Sequence, residues 1–127
     1  MLRVLIVEDN RFFREAFKAA LQERLPSALI EEAGNGEEAL ERIHGESPDL
    51  IFTDNRLGGM NGLELAQKIK KEYPRIRIAM LTGYDYPEYR RAASQYGVDR
   101  FFVKDALDWK EIEELVKYIP HEHRPES

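Results

Sequence analysis

Glu8, Asp9, Asp54, Thr82 and Lys104 stand at the ends of four apolar runs, and together they could hold a phosphoryl group. Val4-Leu5-Ile6-Val7 ends at Glu8 and Asp9, and Leu50-Ile51-Phe52 ends one residue short of Asp54. Ala79-Met80-Leu81 ends at Thr82, and Phe101-Phe102-Val103 ends at Lys104. Carboxylates drawn together repel one another, and a hard divalent cation relieves that repulsion. Mg2+ suits such a place because it takes one or two carboxylates and keeps its other positions for water and phosphate oxygens. Lys104 offers a mobile point charge for phosphate or carboxylate, and Thr82 offers one hydroxyl donor. A cation, an ammonium and a hydroxyl around one set of oxygens stabilise a phosphoryl group in transfer. Asp54 is the candidate nucleophile, since a carboxylate can form an aspartyl-phosphate.

Taken singly, each residue has an ordinary reading. Asp9 or Asn10 can cap a helix, Asp54 can bond its own backbone in a loop, Thr82 can simply end a strand, and Lys104 can be a solvated lysine. Their joint occurrence at strand ends sets them apart, because open parallel sheets bind ligands outside the carboxyl ends of their strands. The runs Lys68-Lys70-Lys71 and Glu111-Glu113-Glu114 read as solvated helix faces, and His121 and His123 make no metal site without further ligands.

The elements that must position these residues alternate strand and helix five times. Asn10 caps a first helix striped by Phe13, Ala16, Phe17, Ala20 and Leu21, and Pro26-Ser27 breaks it. Leu29-Ile30 runs into Glu31-Glu32, a polar strand suited to a sheet edge. Gly34-Asn35-Gly36 turns into a short helix over Glu37 to Ile43, and Ser47-Pro48 precedes the third strand. The loop from Asp54 to Gly62 leads into a helix with Leu63, Leu65, Ala66 and Ile69 that stops before Pro74. Ile76, Ile78 and the run to Leu81 make the fourth strand. Pro87 opens the next helix, where its missing N–H costs nothing, and Gly97 closes it. Val98 to Val103 reads as the fifth strand, and Ile112, Leu115, Val116 and Ile119 stripe a last helix ending at Pro120. This alternation implies a parallel sheet with right-handed crossovers, buried on both faces. The expected fold is α/β, a single doubly wound, five-stranded, flavodoxin-like sheet of order 2-1-3-4-5. In that order the first and third strands are neighbours, so Glu8, Asp9 and Asp54 converge.

A chain of 127 residues suits one domain. With 43% apolar and 34% charged residues it reads as soluble and globular. A net charge of −5 supplies no electrostatic footprint for nucleic acid. The absence of cysteine excludes disulfides, thiolate chemistry and Cys-based zinc sites. There is no signal-peptide layout and no apolar run near the ~20 residues of a membrane helix, so a cytoplasmic protein is expected.

These residues resemble those of a response-regulator receiver domain of two-component signalling. The resemblance rests on Val7-Glu8-Asp9, Asp54, Met60-Asn61-Gly62, Thr82-Gly83 and Phe101-Phe102-Val103-Lys104, in order and at matching spacing. It implies a receiver domain over residues 1–120, with 121–127 a disordered tail or the start of a linker. It implies that Asp54 takes a phosphoryl group from a sensor histidine kinase or phosphotransfer protein, so the chain is a signalling domain that catalyses at most its own phosphorylation and dephosphorylation. Asp9 would bind Mg2+ directly, Glu8 through water, and Asp54 and the backbone carbonyl of Arg56 would complete the protein ligands. Lys104 would pair with Asp54 and then with the phosphoryl group. Thr82 would swing its hydroxyl onto a phosphoryl oxygen, and Phe101 would follow inward, remaking the surface of the fourth helix, fifth strand and fifth helix, through which activated copies would dimerise. Arg56 and Tyr84, two residues after Asp54 and Thr82, are expected to slow hydrolysis of the phosphorylated form. No direct contact with nucleic acid or membrane is implied.

Some positions depart from the family pattern. Asn55 stands where an apolar residue usually follows the acceptor, Gly58 where proline is frequent, and Phe101 where tyrosine is frequent. Asp105 replaces proline after Lys104, so a trans peptide is expected there, a cis bond without proline costing ~2.5–4 kcal/mol. Trp109, Tyr86 and Tyr89 are candidates either for a partner surface or for core and rim packing. Two other functions share the topology. An Mg2+-dependent phosphatase with an aspartyl intermediate would carry a second acid where Arg56 stands, and a pseudo-receiver that binds without phosphorylation would not need the intact acids, Thr82 and Lys104.

Overall fold

The computed structural model describes residues 1–120; the expected tail, 121–127 with His121 and His123, lies outside the described residues. Strands β1 (Arg3–Val7), β2 (Leu29–Ala33), β3 (Leu50–Asp54), β4 (Arg77–Thr82) and β5 (Arg100–Val103) alternate with helices α1 (Arg11–Arg24), α2 (Gly36–Gly45), α3 (Gly62–Glu72), α4 (Pro87–Gln95) and α5 (Trp109–Lys117). The sheet is parallel, in the order β2-β1-β3-β4-β5. This is the expected doubly wound fold, with the polar strand β2 at an edge.

Strand residues alternate between two cores, as a period of two requires. Val4, Ile6, Leu50, Phe52, Ala79, Leu81 and Phe102 pack with Phe17 and Leu21 of α1 and with Ile112 and Leu115 of α5. Leu5, Val7, Ile51 and Ile78 pack with Ala39 and Ile43 of α2 and with Leu65, Ala66 and Ile69 of α3. Extending the alternation places Glu8 and Asp54 on the α1–α5 side. Thr82, which follows Ile78 and Met80, falls on the opposite side.

Local signals set the helix starts. Asn10 caps α1 by accepting the Phe13 N–H at 3.1 Å, so Asp9 is free of that duty. Asn61 and Glu64 form a reciprocal capping box at α3, and Pro87 opens α4. Three expectations need correction. β5 begins at Arg100 rather than Val98, because the Asp99 carboxylate takes the Ile78 N–H at 2.8 Å in place of a ladder carbonyl. Gly97, with φ +95, makes the turn just before it. α5 stops at Lys117, where the Tyr118 and Ile119 N–H groups bond three residues back, although Ile119 is still buried. Ala16, expected on the buried stripe of α1, is exposed.

Candidate functional site

Strand order brings the acids together. β1 and β3 are adjacent, with Val7 paired to Thr53, so their next residues project from neighbouring strand ends. Glu8, Asp9 and Asp54 each offer a carboxylate oxygen, all within 4.8 Å of one another. Glu8 is fully buried and Asp54 nearly so, while Asp9 is exposed at the mouth.

Lys104 reaches this cluster from the end of β5, in a short 3-10 turn over Lys104–Ala106. Its ammonium lies 2.6 Å from Glu8 Oε1 and 3.3 Å from Asp54 Oδ2. It also sits 4.5 Å over the Phe13 ring, a cation–π contact that shields one side of the charge. The expected Lys104–Asp54 pair is therefore shared, and Glu8 holds the closer end. Glu8 Oε2 accepts the Asn10 N–H at 3.0 Å, while Oε1 takes the Lys104 ammonium at 2.6 Å. Burial pushes the Glu8 carboxyl up. Hydrogen bonds from Lys104 and the Asn10 backbone pull it down, the Asp54 charge pushes it up again, and the balance leaves it above the ordinary value.

The donor set is all oxygen, half-open and anionic, with three carboxylates crowded beside the Lys104 ammonium. These residues fit a hard divalent cation of the Mg2+ type.

The backbone of Asp54 is held from several sides. Asn55 N–H bonds Leu81 carbonyl at 3.3 Å, Gly62 N–H bonds Asn55 carbonyl at 3.1 Å, and Thr53 Oγ1 donates to the Asp54 carbonyl at 3.0 Å. Gly62 allows α3 to start against this strand end. A Cβ there would run into the Asp54 carbonyl oxygen and lie 2.9 Å from Asn55 Cα. Asn55, one of the departures named above, is buried.

The other expected site residues form an outer group. Thr82 is buried, and its hydroxyl oxygen accepts the Tyr84 N–H at 3.2 Å. Arg56 and Tyr84 meet each other, the guanidinium 5.0 Å over the ring, and Tyr84 stacks on Tyr86 at 5.8 Å. Phe101 is half-buried on β5, beside Met80 and beneath the Arg90 guanidinium at 4.6 Å. Trp109 packs inward, stacked on Phe17 at 5.5 Å with Arg24 over it at 4.7 Å, so it belongs to the α1–α5 layer rather than to a free surface. Tyr86 is exposed and Tyr89 half-buried. No cis peptide occurs among the described residues.

Sequence reasoning missed the groups that hold the acids in place. Asn10 caps α1 as its type and place imply, and its backbone N–H also holds Glu8. Phe13 packs against the core, and its ring face also carries Lys104. Arg14, on the flank of α1, donates to the Glu8 carbonyl at 2.8 Å. Helical spacing places these side chains on a face but does not reveal which atom they touch.

Comparison with known proteins agrees with the geometry. The family model described as "Response regulator receiver domain" matches residues 4–118. The transcriptional regulatory protein YesN of Bacillus subtilis is 32% identical over 120 residues, covering 94% of this chain and 33% of that protein. The receiver domain of the DNA-binding response regulator merR from Colwellia psychrerythraea superposes with TM-score 0.85 at 25% identity, covering 92% and 96% of the two chains. The response regulator TrrA from Thermotoga maritima, solved in complex with Mg2+–BeF, is 37% identical with TM-score 0.79, covering 92% and 97%. The chain spans a third to about half the length of curated relatives that it matches. Among the described residues, no helix is long and apolar enough to cross a membrane.

Proposed function

The chain belongs to the response-regulator receiver family, and from that premise we propose that it is a phosphoacceptor switch with Asp54 as the acceptor. The observation that carries this reading is the meeting of Glu8, Asp9 and Asp54 with the Lys104 ammonium at one strand-end crevice. A sensor histidine kinase or phosphotransfer protein presents a phosphohistidine. A P–O bond forms to an Asp54 carboxylate oxygen as the P–N bond to the donor imidazole breaks. Bound Mg2+ would neutralise the crowded oxygens of the acids and of the phosphoryl group. Asp9, Asp54 and the backbone carbonyl of Arg56 are its proposed direct ligands, with Glu8 acting through water.

Lys104 then leaves Glu8 for a phosphoryl oxygen, a charge-assisted bond stronger than a neutral one. The Thr82 hydroxyl gives up the Tyr84 N–H and donates to another phosphoryl oxygen. Phe101 moves inward behind it, out from under Arg90, and so remakes the α4–β5–α5 surface for a homodimer or another output. Because Phe101 has no hydroxyl, this movement trades the Arg90 cation–π contact for packing, with no hydrogen bond from the ring. The Arg56–Tyr84 stack spans the loops after β3 and β4 and screens the acyl phosphate from attacking water. The receiver domain is proposed to run over residues 1–120 and to act in the cytoplasm, catalysing at most its own phosphorylation and dephosphorylation, with no direct nucleic-acid contact.

Incubation with acetyl phosphate and Mg2+, followed by intact-mass spectrometry, tests the proposal. One phosphate adduct, absent from Asp54→Asn and absent without Mg2+, is expected. Continuous release of inorganic phosphate at many turnovers would instead mark a phosphatase. An inert protein would mark a binding module that works without phosphorylation.

A further inference from the structure

We propose that Arg14 is a positioning residue for the acid cluster, linking β2 to the peptide that joins Glu8 and Asp9. Its guanidinium donates in two directions. Nε bonds Glu32 Oε1 at 2.9 Å, and Nη1 bonds the Glu8 carbonyl oxygen at 2.8 Å. Glu32 is itself held on its other oxygen by Lys18 at 3.1 Å, so the anchor is clamped from both ends. The Arg14 side chain is only 18% exposed, which limits both water competition and alternative rotamers.

The Glu8 carbonyl is where such a bond has leverage. The last ladder-like bond of β1 toward β2 is the Glu8 N–H to the Ala33 carbonyl at 3.0 Å, and the chain then leaves the sheet. The peptide between Glu8 and Asp9 is planar and rigid, so fixing its oxygen also fixes the nitrogen and Cα of Asp9. Asp9 is exposed, and among the described residues no hydrogen bond or ion pair holds its carboxylate. Its aim depends on its backbone, and Arg14 holds the peptide that begins it.

The fork of an arginine is needed for this role. A lysine at 14 would keep the positive charge and could still pair with Glu32, but a single ammonium on a flexible stem lacks the rigid, two-direction geometry. Charge and position therefore make opposite demands. A cation near the acids repels Mg2+, so removing it should tighten metal binding by electrostatics alone, whereas losing the held peptide should weaken it.

This inference rests on the proposed Mg2+ site and is tested on the intact chain by calorimetric titration with Mg2+ alone. Urea unfolding in EDTA confirms that each variant is folded. Arg14→Lys and Arg14→Gln should both weaken Mg2+ binding, by about tenfold or more, as happens when groups that orient metal ligands are removed. Arg14→Lys retains the Glu32 pair and carries the test if Arg14→Gln does not fold. Unchanged affinity in Arg14→Lys, or tighter binding in Arg14→Gln, would show Arg14 to be only a nearby charge and would overturn the inference while leaving the phosphoacceptor reading intact. Wild-type protein that takes up no Mg2+ would overturn both.

Discussion

Replacing Lys104 with methionine keeps an apolar stem but removes the cation that Glu8 and Asp54 share, at 2.6 and 3.3 Å. Breaking a buried ion pair by deleting one partner costs about 3–5 kcal/mol, because the other charge is left without compensation. Here two carboxylates are stranded, one fully buried, yet the loss through Glu8 has a ceiling. Glu8 can escape by taking up a proton, and its carboxyl already lies above the ordinary value. Neutralising a carboxyl of ordinary pKa about 4.3 at pH 7 costs about 1.4 kcal/mol per pH unit, or close to 4 kcal/mol in all. We expect Lys104→Met to lose about 3 kcal/mol of unfolding free energy at pH 7 in EDTA. The sign of the pH dependence follows from the raised carboxyl. A protonated Glu8 needs no cation, so the deficit should be largest at high pH and shrink as the pH falls through the raised Glu8 value toward the ordinary glutamate range. At the proposed site Mg2+ would supply the missing charge and no longer compete with the ammonium, so it should stabilise the variant more than the wild type. Urea titrations followed by circular dichroism, with EDTA and with Mg2+, measure all three. A midpoint equal to that of the wild type in EDTA, or a deficit as large at low pH as at high pH, would refute the claim that Lys104 compensates Glu8.

Gly62→Ala should destabilise the fold by about 1–3 kcal/mol, because the added methyl meets the Asp54 and Asn55 backbone rather than a side chain that can move. It should also slow phosphorylation by acetyl phosphate, whereas Gly45→Ala, where a Cβ meets nothing within 4 Å, should leave that rate unchanged. At Glu32, burial pushes the carboxyl up, but hydrogen bonds from Arg14 and Lys18 outweigh it and hold the group below its ordinary value. The stabilisation is therefore present above the ordinary glutamate range and lost as the pH falls through the lowered value. Glu32→Gln should cost about 1 kcal/mol at pH 7, discounted for partial exposure, and match the wild type in strong acid. Arg56→Ala and Tyr84→Ala should each shorten the lifetime of the phosphorylated protein, read as loss of the phosphate adduct with time; unchanged decay in both would remove the screening role of their stack.

Much of this molecule was legible in one dimension because its governing patterns are local. Apolar runs of strand length, helical stripes such as Phe13-Phe17-Leu21, and caps at Asn10 and Asn61 act over a few residues. Their alternation led to the parallel sheet and the order β2-β1-β3-β4-β5, and that order alone brings Glu8, Asp9 and Asp54 to one crevice. What the chain could not declare is how atoms far apart in sequence divide their bonds. Lys104 lies closer to Glu8 than to Asp54. Asp99 displaces a ladder carbonyl and shortens β5. Arg56 lies on Tyr84, and Trp109 turns inward onto Phe17. Each depends on where the loops and helix ends come to rest. Periodicity determines which face a side chain occupies; only the packed backbone decides which neighbour it meets there.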